Sequence, residues 1–183
     1  SRMLARFPIR RLTAESIRDA MLQVSGTLDR AIGGQTIPLR NRQFVFNHTS
    51  EDHTRYDSRR RAIYLPIIRN NLYSLFEQFD YPDPTMPTGT RNATVVAPQA
   101  LLMMNSPIVM ESADAWAERL HASSADLQEQ IAIAYRQAFA REPTASETAR
   151  ATQFIAPSSS GYLNRWSMYC QSLFACNEFI YVR

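Results

Sequence analysis

Apolar residues recur every three or four positions along much of the chain, which is the spacing of one face of an α-helix. Near the start this spacing predicts one helix of about a dozen residues, capped by Thr13 and ended at Ser25-Gly26. A short helix is predicted after Asn70-Asn71. Further helices are predicted from residue 98 onward, and prolines or capping residues mark their starts: Pro98, Ser106-Pro107, Ser123 or Ser124, and a capping box from Thr144 to Glu147.

Between these helices the helical pattern is interrupted. Residues 43–46 and 62–67 are β-prone and can pair as one short hairpin, while three prolines exclude a helix from residues 80–89. We therefore predict a mainly α fold, a small antiparallel helical bundle with a long Pro-rich irregular segment. Residues 1–183 are expected to form a single domain and to be a fragment of a longer protein. Within it, 1–96 is a helix plus an irregular basic region, and 97–183 is the bundle.

Composition agrees with a folded domain and adds an uneven charge distribution. The chain has 183 residues, 45% of them hydrophobic, and no apolar run approaches the ~18 residues of a membrane-spanning helix. All 20 basic residues are arginines, and residues 1–61 hold 12 of them against 6 acids. This asymmetry is compatible with nucleic acid, an acidic polymer or an acidic partner domain. Nucleic acid is not favoured, because no recognition module accompanies the arginines.

The acidic pair Asp80 and Asp83 is the strongest candidate for site chemistry. The two residues flank Tyr81-Pro82, with Arg69 upstream and Arg91 downstream. Two carboxylates in a rigid turn can act as general acid and base on a glycoside, or bind a hard cation. The alternative is a structural clamp, in which aspartate accepts backbone N–H bonds and pairs with Arg69 or Arg91. The clamp is favoured, because such local aspartate bonding is common in turns.

Two further groups carry weaker signals. Gln99 and Asn105 lie on an apolar helical turn, where a buried amide would bond the preceding loop or orient a ligand. His48, Asp52 and His53 could ligate a transition metal, but their spacing fits no helical metal motif, so no metal is predicted. Cys170 and Cys176 are too far apart on a predicted helix to bridge, and at least one should be a buried thiol.

The central stretch carries a family resemblance. It reads RRRAIYLPIIRNNLYSLFEQFDYPDP and is followed by QALLMMNSP. Together with RRLTAESIRDAMLQVSG, AFAREPTASE and CNEFIYV, it resembles the carboxy-terminal domain of unknown function of large planctomycete proteins that carry cytochrome-c-like domains. The resemblance spans nearly the whole chain. It implies a mainly helical module exported to the cell envelope, beside separate haem-binding and carbohydrate-recognition-like domains.

These expectations define two functional hypotheses. The first is a non-catalytic structural or interaction module of a large bacterial envelope protein, with no cofactor in this chain and any haem on another domain. Its partners would be other domains of the same polypeptide, or an acidic or sulfated polysaccharide, which suits an exported setting. The second is a carbohydrate-binding or glycoside-hydrolysing site built on Asp80, Asp83 and Arg91. The first is favoured, and the resemblance transfers no catalytic residues.

Overall fold

The computed structural model describes residues 8–37, 58–68, 71–156 and 162–182. Most of these residues are helical, which confirms the predicted mainly α fold. The elements are β1 (Arg10–Arg11), α1 (Ala14–Ser25), a 3₁₀ turn (Ala62–Tyr64), α2 (Ser74–Gln78), α3 (Ala97–Asn105), α4 (Pro107–Ser123), α5 (Leu127–Phe139), α6 (Ala145–Ile155), α7 (Tyr162–Phe174), α8 (Asn177–Ile180) and β2 (Tyr181–Val182). Among the described helices, none combines the length and apolar character needed to span a bilayer.

Most helix ends follow the predicted capping residues, but the starts of α2 and α5 do not. The Thr13 side chain accepts the N–H of Ser16, and Thr144 and Glu147 form a reciprocal capping box. Helix α2 begins at Ser74, after Tyr73, rather than directly after Asn70-Asn71. Helix α5 is capped by Asp126 rather than by Ser123 or Ser124. The reason is that α4 continues to Ser123, while the Ser124 hydroxyl accepts the N–H of Asp126 at 3.1 Å.

The core is built around α4 and α7. Trp116 of α4 and Phe174 of α7 are fully buried and stack with ring centroids 4.9 Å apart. Helix α1 packs against α4 and contributes Ile17 and Met21 to the same buried cluster. Cys170 is buried in this cluster as a free thiol, and burial raises its pKa well above the ordinary value. The expected buried thiol is therefore present, and Cys176 is a second, exposed free thiol.

Two adjacent residues of α1 anchor the basic segment at 58–62. Arg18 is fully buried and donates hydrogen bonds to the carbonyls of Ser58 and Arg60, the latter at 2.7 Å. The Asp19 carboxylate accepts the N–H of Ala62 at 2.8 Å. Buried polar groups require such partners, so these bonds offset the cost of placing a guanidinium in the interior.

The small antiparallel sheet joins the two ends of the described chain. Arg10 pairs with Val182 and Arg11 with Tyr181, so β1 and β2 form the two-stranded sheet. Residues 43–46 of the predicted hairpin lie outside the described residues. The other predicted strand, 62–67, is wrong, since Ala62–Tyr64 is a 3₁₀ turn. The N–H of Ala62 is bonded to Asp19, and the N–H groups of Tyr64 and Leu65 make local turn bonds, so these three are unavailable to a sheet ladder.

Gly26 provides a test of how α1 ends and meets α4. Its φ of +77° is a left-handed conformation, and an added Cβ would lie 2.5 Å from Nη1 of Arg119. That guanidinium donates to the Val24 carbonyl at 2.7 Å. Gly26→Ala should therefore cost at least about 1–2 kcal/mol from the backbone alone, lowering the unfolding midpoint by roughly 2–8 °C in a thermal melt.

Gly89→Ala is the matched control, because no atom lies within 4 Å of the position of its Cβ. Its melting midpoint should equal that of the parent chain. Equal midpoints for both variants would contradict the packing described for Gly26 and Arg119.

Candidate functional site

Asp80 occupies the turn that ends α2. Its φ of +57° is left-handed, a conformation that aspartate tolerates better than most residues. The N–H of Tyr81 donates to the Phe76 carbonyl at 2.9 Å, which is the bond of a Schellman motif. The Tyr81 ring also stacks on Phe76, with centroids 5.2 Å apart. The backbone at Asp80 is therefore held by the helix end, and its carboxylate points away from α2 toward other segments.

We call Arg11, Asp80 and Thr94 the Asp80 network. Arg11 Nη2 lies 2.6 Å from Asp80 Oδ2, and the backbone N–H of Thr94 donates to the same oxygen at 2.8 Å. The Thr94 hydroxyl donates to Asp80 Oδ1 at 2.9 Å. Arg11 also donates to the carbonyls of Thr94 and Phe79. One carboxylate and one guanidinium thus connect β1, the end of α2 and the chain that precedes α3.

The electrostatics of the network keep Asp80 ionised. Burial alone would raise the pKa of Asp80, but the hydrogen bonds from Thr94 and Arg11 outweigh it. The pKa of this carboxyl consequently lies below its ordinary value. The side chains of Arg11 and Asp80 are only 6% and 17% exposed, so solvent screens their interaction far less than that of a surface pair.

The arginines expected to pair with the acidic residues do not supply this contact among the described residues. Arg91 instead donates to both Glu15 oxygens, at 2.8 and 2.9 Å, and its guanidinium lies over the Tyr81 ring. Arg69 lies outside the described residues. Arg11 was missed, because it is 69 positions away from Asp80 and no sequence spacing relates them.

Asp83 has a local role in the structure. It is exposed, and its Oδ1 accepts the backbone N–H and the hydroxyl of Thr85, at 2.8 and 2.6 Å. These hydrogen bonds lower the pKa of Asp83. This is the bonding of an aspartate that stabilises its own turn.

The two candidate amides differ in what they contact. Gln99 is 7% exposed, and its Nε2 donates to the carbonyls of Gln78 at 2.9 Å and Thr94 at 3.1 Å. It therefore supports the Asp80 network from the first turn of α3, by bonding the loop that precedes the helix. Asn105 is exposed at the far end of α3 and donates to the Leu101 carbonyl of its own helix.

Two clefts border these residues. The first, the Asp80 cleft, has a volume of about 440 Å³ and is lined by polar side chains that include Arg10, Arg11, Asp80, Arg91 and Asn92. Asp80 is the only carboxylate among its described lining residues, and Asp83 is not one of them. The pair therefore does not face a substrate across this cleft, as two catalytic carboxylates of a glycosidase would.

The second, the α1 cleft, is larger, at about 860 Å³, and lies between α1 and residues 61–67. Its charged lining residues are Glu15, Asp19, Arg30, Arg61 and Arg91. Glu15 is paired with Arg91, and Asp19 is bonded by Ala62 and Arg18. Its two acids are thus already neutralised, while the guanidinium of Arg61 has no hydrogen-bond or ion-pair partner within the described part of the chain. The cleft consequently presents net positive charge.

The metal hypothesis concerns residues that the structure leaves undescribed. His48, Asp52 and His53 all lie outside the described residues. Within the described ranges there is no group of three or more His, Cys, Asp and Glu side chains placed to hold a metal ion.

A protein-family model matches most of the chain. The model of a family described as PSD1, protein of unknown function (DUF1553), matches residues 1–155. No curated protein and no solved structure matches the chain. The matched range contains the Asp80 network, Gln99 and the described lining of both clefts except Tyr181.

A stability comparison of Asp80 with Asp83 tests whether the network is structural. Asp80→Asn keeps a residue that tolerates the left-handed backbone but removes the charge that Arg11 and Thr94 bond. It should cost about 1.5–3 kcal/mol, the range for hydrogen bonds to a charged group, and lower the melting midpoint by roughly 3–12 °C. Asp83→Asn is the control: its midpoint should change far less, because that side chain is exposed and an asparagine Oδ1 can still accept the hydrogen bonds from Thr85.

Acid titration adds a second readout for the same variants. Because the folded pKa of Asp80 lies below the unfolded value of about 4, its contribution is complete above that pH and is lost as pH falls through the folded pKa. Asp80→Asn should therefore lose less stability than the parent on acidification. A parent and variant with parallel acid profiles, or an Asp80→Asn midpoint equal to that of Asp83→Asn, would show that the network does not stabilise the fold.

Proposed function

The chain belongs to the PSD1 family of proteins of unknown function (DUF1553), and from that premise we propose that it is a non-catalytic structural or interaction module. We propose further that it is part of a large bacterial envelope protein with haem-binding domains elsewhere, of the planctomycete type that its sequence resembles. The sequence has no C-x-x-C-H motif, so a covalently attached c-type haem would be held by another domain.

The observation that carries this proposal is how Asp80 is used. Both of its oxygens accept hydrogen bonds, from Arg11 and from the N–H and hydroxyl of Thr94. A general acid must exchange a proton with the reacting group and needs a pKa near the working pH. Asp80 has a lowered pKa and is tied to two distant segments, which suits a clamp and opposes proton transfer.

A glycoside-hydrolysing site built on Asp80, Asp83 and Arg91 is not favoured. Asp83 is bonded within its own turn and does not line the Asp80 cleft, so the two acids form no facing pair there. Stacking of a sugar on Tyr81 is also disfavoured, because Phe76 is stacked against its ring and Arg91 lies over it.

The α1 cleft supports the interaction role. It is large enough for several residues of a partner, and Arg61 at its rim has an exposed guanidinium. Arginine pairs with carboxylate or sulfate groups through a planar, bidentate fork. We infer that this cleft receives an acidic surface of another domain of the same polypeptide, or an acidic or sulfated polysaccharide.

Titration with a sulfated polysaccharide tests the binding and the absence of catalysis together. We expect salt-sensitive binding, since exposed charges are screened. Arg61→Gln should weaken it about 2–5-fold, the effect of losing one exposed ion pair. The glycan should keep its chain length after prolonged incubation with the protein.

Arg150→Gln is the control, because Arg150 is an exposed arginine on α6 and lies outside the α1 cleft. It should bind like the parent. Equal weakening by both variants would mean that binding follows net charge and would reject the α1 cleft. A glycan shortened by the parent but left intact by Asp80→Asn would overturn the non-catalytic role and establish the hydrolase alternative.

A further inference from the structure

Helix α3 exposes an apolar stripe that the proposed function does not use. Ala97, Ala100, Leu101 and Met104 are spaced as i, i+3, i+4 and i+7, so they share one face of the helix. All four are exposed, Leu101 at 57% and Met104 at 60%. We call these four residues the α3 outer face.

The opposite side of α3 is also apolar. Met103 is 1% exposed in the core, and Leu102 packs against it. Val95, at 79% exposure, precedes the helix, and Met110, at 50%, follows it on α4. Apolar residues therefore lie on the exposed side of α3 as well as on its buried side, and exposed apolar clusters on a protein surface mark interaction sites.

Charge is absent from this whole region of the sequence. No Asp, Glu, Arg or Lys occurs from Asn92 to Met110, although 20% of the chain's residues are charged. The centres of protein interfaces are similarly depleted of charged residues and enriched in Met. A two-fold contact sets a surface against itself, so a charged face would meet like charge. Two copies of this uncharged face would meet without such repulsion.

The order of side-chain sizes makes the α3 outer face complementary to its own copy. Along the helix the stripe reads small, small, large, large. When two such helices cross antiparallel, with the axis between positions 100 and 101, Ala97 meets Met104 of the partner subunit. By the same symmetry, Ala100 meets Leu101 of the partner subunit. Every small residue is then opposite a large one, which lets the two surfaces interdigitate.

We propose that two copies of this chain associate through their α3 outer faces, antiparallel about a two-fold axis. This inference is independent of the Asp80 network and of the α1 cleft. Helix α3 has 9 residues and so is about 14 Å long at 1.5 Å per residue. The contact is therefore small, and the dimer should be weak and dependent on concentration.

Sedimentation equilibrium over a wide range of protein concentration tests the proposal. The parent should pass from monomer to dimer as concentration rises. Leu101→Glu should remain monomeric, because it sets a carboxylate into the apolar contact near the two-fold axis. Phe154→Glu is the matched control: Phe154 is 40% exposed on α6, which packs on α5 and α7, and its variant should dimerise like the parent.

A mixing experiment tests the antiparallel register. Ala100→Arg alone should also be monomeric, but mixing it with Leu101→Glu should restore a dimer, because the axis pairs position 100 with position 101. Circular dichroism establishes that each variant keeps the parent's helix content; both positions are exposed, so folding should be preserved. A parent that stays monomeric throughout, or a Leu101→Glu variant that dimerises like the parent, would overturn the proposal. Failure of the mixture to dimerise would reject the antiparallel arrangement.

Discussion

One ion pair, between Arg11 and Asp80, connects the irregular segment to the strands and helices on either side of it. Helix α2 has only five residues, too few for a helix to be stable without tertiary contacts. Its end is fixed by the left-handed turn at Asp80, and the carboxylate there binds β1 through Arg11 and the approach to α3 through Thr94. Because β1 pairs with β2, the same contact reaches the last strand of the chain. The irregular, Pro-rich segment is thus held between elements far apart in sequence.

Other arginines hold the fold together in the same way as Arg11. Arg18 and Arg119, like Arg11, donate to backbone carbonyls that irregular segments or helix ends leave without partners. Arg141 pairs with Glu147 at the start of α6 and with Glu178 of α8, and it holds the pKa of Glu147 at about 2. A planar guanidinium can satisfy several acceptors at once, which a lysine ammonium does with less geometric specificity. Much of the basic charge therefore acts within the fold.

Local signals in the sequence predicted local structure well. Thr13, Gly26 and the Thr144–Glu147 box define helix ends because each bonds to backbone within a few residues. The central role of an aspartate at 80 was also predictable from its place in a Pro-rich turn. Its partner was not, because Arg11 is one of 20 arginines and its contact is set by the tertiary fold. The predicted strand at 62–67 is wrong because of another tertiary contact: the Asp19 carboxylate of α1 accepts the N–H of Ala62. Tertiary contacts override propensity in short segments.

A double-mutant cycle on Arg11→Gln and Asp80→Asn measures how much this ion pair stabilises the fold. The free energy of unfolding would be measured by denaturant titration for the parent, both single variants and the double variant. If the two side chains stabilise the fold through their mutual contact, the double variant loses less than the sum of the single losses, with a coupling energy of about 1–3 kcal/mol. Strictly additive losses would mean that Arg11 and Asp80 act independently, and the Pro-rich segment would then owe its position to other contacts.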